Sequence, residues 1–160
     1  MVNTKLYLEN KLVFIEPKTL YSREFAATLA SHYYDFISGH YKFCIHKAQS
    51  QKYRDGLTDA EDIAVAQAVD YVLDSYEKRG KLVFYDKKEP KSSDDILSGI
   101  FRLSLNQSFI LITNDYDLAK DVYTLIDSPS LKTRPLEIFR IKENGHIEEY
   151  TPELFYLNFL

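Results

Sequence analysis

The sequence predicts an α/β fold: a parallel sheet covered by helices, with an antiparallel appendage at the carboxyl end. Three observations carry that expectation. Short apolar runs that stop at turn residues alternate four times with apolar patterns at helical spacing, as strand–helix units of a parallel sheet do. Asn144-Gly145, inside the alternating segment LEIFRIKENGHIEEY, is a strong β-hairpin signal. The chain has 160 residues, 45% of them hydrophobic, which gives a single domain over residues 1–160 with a real core.

The elements follow in order. KLVFI (11–15) is a strand that must stop at Glu16-Pro17, because Pro17 lacks an amide hydrogen and disfavours helical geometry at Glu16. Thr19 or Ser22 caps a helix carrying Phe25, Leu29, His32 or Tyr33, and Phe36, which Gly39 closes. KFCIH (42–46) is the second strand, and the polar stretch AQSQKYRDG follows it. Thr58 and Glu61 form a capping box for a helix with Val65, Val69, Val72 and Tyr76 in one stripe, stopped by Gly80. KLVFY (81–85) is the third strand and runs into a charged loop, 86–91. Ser92 or Ser93 caps a helix with Ile96, Ile100 and Leu103, whose first turn holds Asp94 and Asp95. FILIT (109–113) is the fourth strand, a helix runs from about Asp117 to Ile126, and a loop from Ser128 to Pro135 leads into the hairpin.

Composition excludes several classes. A net charge of −4 argues against a generic polyanion binder, so nucleic-acid contact would need a local basic patch. Cys44 stands alone, which rules out an internal disulfide and fits a reducing cytosol. No apolar stretch approaches bilayer length, and MVNTKLYLEN lacks a signal-peptide pattern, so a cytoplasmic protein without membrane contact is expected. The four histidines show no metal-site spacing, and no glycine-rich phosphate loop is present.

The chemistry lies in the acids. Glu16 follows the first strand, Asp94 and Asp95 start the helix after the third, and Asp115 and Asp117 follow the fourth. If these strands are parallel neighbours, all five carboxylates open on one sheet edge, where open α/β sheets bind ligands. Like charges in one pocket raise each other's pKa, and a hard divalent cation relieves the repulsion. Mg²⁺ or Mn²⁺, held by carboxylates with water and phosphate oxygens, is the usual occupant. Each acid also has an ordinary reading: Asp115 as a helix cap, Asp94, Asp95 and Asp117 as first-turn acids, Glu16 as a charged strand end. Asp94 would share a helix face with Leu97 and Ser98, and Asp95 one with Ser98, Gly99 and Arg102; Asp94 is the preferred ligand and Asp95 its neighbour.

FILITNDYDL, preceded by SSDDILSGIFRLSL, resembles the carboxyl-terminal half of PIN-domain nucleases, which carry an Asp at the start of an apolar helix, then a strand and a Thr-Asn-Asp-x-Asp-Leu-like turn. LVFIEPKTL resembles their first strand, which normally ends in a catalytic Asp. The resemblance implies a three-layer α/β/α sandwich and a Mg²⁺- or Mn²⁺-dependent endoribonuclease, with Glu16, Asp94, Asp115 and Asp117 as catalytic residues and Asp95 as a further metal ligand. Two departures stand out. The first acid is Glu16 rather than Asp, and the Glu expected after the second strand is absent, leaving Asp55, Glu61 or Asp62 as replacements. A catalytically degraded PIN-like module that binds RNA or protein is therefore the alternative, and a regulatory α/β domain with an acidic edge is a third. For an RNA substrate, Lys87, Lys88, Lys91, Lys52, Arg54 and Asn114 would rim the site, and Tyr53 and Tyr116 would offer stacking faces. The hairpin tip KENGH offers a strand edge to a protein partner or a second copy.

Overall fold

The structure, a computed structural model, describes residues 12–84, 108–126 and 136–150. The loop 86–91, the helix expected over residues 92–103 and the loop 128–135 lie outside them. In chain order the described elements are β1 (Leu12–Ile15), α1 (Pro17–Leu20), α2 (Arg23–Ser38), β2 (Lys42–Ile45), α3 (Lys47–Asp55), α4 (Ala60–Lys78), β3 (Leu82–Phe84), β4 (Phe109–Ile112), α5 (Tyr116–Ile126), β5 (Leu136–Ile141) and β6 (Ile147–Glu149).

The strands form one mixed, mostly parallel sheet in the order β3-β2-β1-β4-β5-β6, with only β6 antiparallel to its neighbour. All four residues of β4 are buried, because this strand has paired neighbours on both edges and apolar layers on both faces. On one face Val13, Ile15, Phe43, Ile45, Ile110 and Ile112 pack against α2 and α4. On the other, Phe14, Cys44, Phe109 and Leu111 join Leu118 and Val122 of α5. Cys44 is a buried small hydrophobe, and burial pushes its thiol up to about 12.

The aromatic-rich composition is spent on the first of these layers. Phe36 meets Phe43 edge-on at 5.4 Å, and Phe43 stacks on Tyr76 at 5.7 Å. Such pairs add about 0.5–1.5 kcal/mol each beyond simple burial. The α4 stripe is shifted from the expected one: Ala66, Val69, Leu73 and Tyr76 are buried, while Val65 and Val72 flank them. Its cap is Asp59, whose side chain accepts from the Glu61 amide at 2.9 Å, rather than Thr58. Ser22 caps α2 through the Phe25 amide, as the sequence suggests, and α2 bends at His32. The stretch AQSQKYRDG, which carries no apolar stripe, forms most of α3, capped by the His46 ring.

Strand order changes direction between β1 and β4. From β1 the chain steps outward to β2 and β3; from β4 it steps outward the opposite way to β5. A crevice at the carboxyl ends of two such strands is the preferred ligand position in open α/β sheets.

Candidate acidic cleft at the carboxyl ends of β1 and β4

Glu16 continues β1, donating its amide to Ile112 O, and then turns its side chain back to cap α1. Oε2 accepts from the Lys18 amide at 2.5 Å, and Oε1 accepts from the Thr19 amide at 3.0 Å. Pro17 suits the first helical position because no amide hydrogen is needed there. Oε1 also accepts from the hydroxyls of Thr19 at 2.5 Å and Thr113 at 3.2 Å. Glu16 is only 5% exposed. Burial raises its pKa above the ordinary glutamate value, the hydrogen bonds oppose that rise, and the negative charge of Asp115 adds to it.

The turn after β4 is built onto that carboxylate. The Asn114 amide donates to Thr19 Oγ1 at 2.7 Å, and the Asp115 amide to Thr113 Oγ1 at 3.0 Å. Each threonine hydroxyl therefore accepts one amide of the turn and passes its own hydrogen to Glu16 Oε1. Asn114 uses its side-chain amide like a strand residue, donating to Ile141 O at 3.0 Å and accepting from Ile141 N at 2.8 Å. Asp115 then starts α5: Oδ1 accepts from the Leu118 amide at 3.1 Å, and its carbonyl from Ala119 N. That cap uses Oδ1 alone.

A cleft of about 560 Å³ opens above this corner. Glu16, Asn114, Asp115 and Asp117 line it, as does Asp62 at the start of α4. Its wall carries Lys18, Tyr21, Arg23 and Tyr53. Arg23 is held by Glu61 at 2.9 Å and Asp62 at 3.5 Å. Lys18 has no acid partner among the described residues.

The structure thus brings Glu16, Asp115, Asp117 and Asn114 to one cleft, although the Asn114 side chain is already engaged. Asp94, Asp95, Lys87, Lys88 and Lys91 lie outside the described residues. Lys52 and Arg54 sit on α3 and do not line the cleft; Arg54 Nε binds Asp70 Oδ2 at 3.0 Å. Of the three acids considered for the missing Glu, only Asp62 faces the cleft, while Asp55 accepts from Gln51 at 2.7 Å on α3. The sequence offered Thr19 only as a helix cap and Thr113 only as part of the turn motif, and it did not single out Tyr21 or Lys18. The bonds from Thr113 to Glu16 and from the Asn114 amide to Thr19 exist only once β1 and β4 are adjacent, which no local pattern announces.

Among the described residues, no three His, Cys, Asp or Glu side chains form a group that could hold a metal ion. A Glu16–Asp115 pair remains chemically suited to Mg²⁺, which often takes one or two carboxylates and completes its shell with water and phosphate oxygens. No helix among the described residues is long and apolar enough to cross a membrane. No protein-family profile and no curated protein sequence matches the chain.

Proposed function

We propose that the protein is a PIN-like, Mg²⁺- or Mn²⁺-dependent endoribonuclease that hydrolyses RNA phosphodiesters in the cleft beside β1 and β4. The observation that carries the reading is the convergence of Glu16, Asp115 and Asp117 where the sheet changes direction. The cation would neutralise charge on the phosphodiester as it is attacked. Asp115 would hold it through the oxygen left over from the α5 cap, with Glu16 behind; Asp94, the further ligand that the resemblance implies, lies outside the described residues. Asp117, exposed on the first turn of α5 and lining the cleft, would take a proton from the entering water. Hydrolysis bonds the water oxygen to phosphorus and breaks the bond to the leaving nucleoside oxygen, which takes up a proton. Lys18 at the rim would meet a neighbouring phosphate.

Asp115→Asn is an informative variant, because Asn caps helices as well as Asp and the change removes only the charge. Single-stranded RNAs of varied sequence, incubated with Mn²⁺, should be cut by the wild-type protein and spared by the variant. Cleavage by neither protein across that range would sink the enzyme reading.

One observation favours the binding-module alternative: both Glu16 oxygens are occupied by donors from the chain itself. Mn²⁺ binding seen by calorimetry, with no RNA cut, would select it.

A further inference from the structure

Two tyrosines from separate elements lie parallel on the cleft wall. Tyr21, at the end of α1, and Tyr53 of α3 have ring centroids 6.5 Å apart and planes 16° apart. Tyr21 is fixed from behind, since its hydroxyl donates to Asp70 Oδ1 at 2.7 Å. The other oxygen of Asp70 accepts from Arg54 Nε at 3.0 Å, and Arg54 adjoins Tyr53 in the chain. A Tyr21–Asp70–Arg54 bridge therefore holds the two rings together across α1, α3 and α4.

Tyr21 packs against the edge of the layer under α2 and α4, and Tyr53 lies on it outside that layer. Tyr53 is only half-buried and belongs to neither apolar layer of the sheet. Tyr53 lines the cleft together with Glu16 at the end of β1 and Asp62 at the start of α4. A rigid, partly exposed aromatic face beside an acidic floor needs a partner that stacks without demanding positive charge from the protein. Nucleobases meet that need, because every base has a π-face and stacking is tolerant of sequence. Arg54 is neutralised by Asp70, so affinity for the strand would come from the rings, from Lys18 and from any bound cation.

We propose that Tyr53, backed by Tyr21, is the platform on which an unpaired base of single-stranded RNA stacks, so that the cleft selects single strands over duplex. This rests on the reading of the cleft as a site for RNA phosphodiesters, and it adds a recognition element outside the carboxylates. In a duplex both faces of each base are already stacked, and the ring would have nothing to receive.

The test is binding of a short oligoribonucleotide carrying 2-aminopurine to the full chain in Ca²⁺, read by fluorescence. The wild-type protein should quench the probe as a single strand and bind its duplex form more weakly. Tyr53→Phe should keep affinity and quenching. Tyr53→Leu, which keeps apolar bulk without a π-face, should lose roughly 5- to 100-fold in affinity. Circular dichroism melts of the same variants check that each is folded. Equal affinity of the Leu variant and wild type, no preference for single strands, or no binding of the single strand would each overturn the platform. Failure of the hydrolase reading looks different: Tyr53-dependent binding without cleavage in Mn²⁺ leaves the platform standing. Cleavage that ignores Tyr53 removes the platform and leaves the hydrolase.

Discussion

A side chain of Glu16's length can cap its own helix and still reach the next strand. From the sequence it is a strand-end acid before a proline, and that much is right. Its other partner, Thr113, lies 97 positions away, so the bond between them has no local signature. The threonine hydroxyl matters more than its methyl here, because it joins the Asp115 amide to Glu16 Oε1, and both Thr113 and Glu16 are buried. Thr113→Val would keep the shape and leave a buried acceptor and a part-buried amide each short of a partner. The expected loss is about 1–3 kcal/mol of stability, measured as a lower urea midpoint at unchanged slope. Thr113→Ser, which keeps the hydroxyl, should cost less; an equal cost in both variants would show that the methyl, not the network, holds the corner.

Among the elements, those with an apolar stripe were legible and those without were not. The α2 helix shows Phe25, Leu29 and Phe36 at helical spacing, and these three are buried. The α3 helix buries only Ser50, so periodicity has nothing to display, and its cap is a histidine ring rather than a common capping residue. The segment around Gly145 carries a different lesson. Gly145 has φ 85°, and a Cβ there would stand 2.9 Å from both Ala27 C and Thr28 N. Thr28 Oγ1 donates to its carbonyl at 2.8 Å, which pins the turn between β5 and β6 onto α2. Gly80 also has positive φ, at 72°, but its Cβ would meet nothing within 4 Å. Gly80→Ala should therefore cost about 1–2 kcal/mol for conformation alone. Gly145→Ala adds a clash with backbone and should be the more destabilising of the two in paired thermal melts; the reverse order would mean that the turn is not fixed on α2.

For the whole molecule, strand–helix alternation made a parallel sheet legible but left its order undetermined. That β4 pairs with β1, and not with the strand before it, is decided by long-range packing, and this order is what sets Asp115 beside Glu16. It also ties ligand binding to the stability of the fold. A cation bound only by the folded cleft should add about 2.7 kcal/mol at a concentration one hundred times its dissociation constant. In a chain of this size that corresponds to a rise of roughly 5–10 °C in Tm. Mn²⁺ should produce such a shift in the wild-type protein and a smaller one in Asp115→Asn. An identical shift in both would place the cation elsewhere.

The position of β1 has a consequence for how the chain reaches this state. One of its edges is closed by β2, which follows after α1 and α2, and the other by β4, which follows only after α3, α4, β3 and residues 85–107. During synthesis the first edge can therefore close early, while the second stays open until the chain has passed residue 112. Late closure of that kind is slow, because chain entropy is lost before the contacts that repay it form. Until then Glu16 has its α1 cap but not Thr113, and no cleft exists. The corner proposed to bind the cation is thus also among the last joints to be made, so the appearance of cation binding during refolding would time the closing of the sheet.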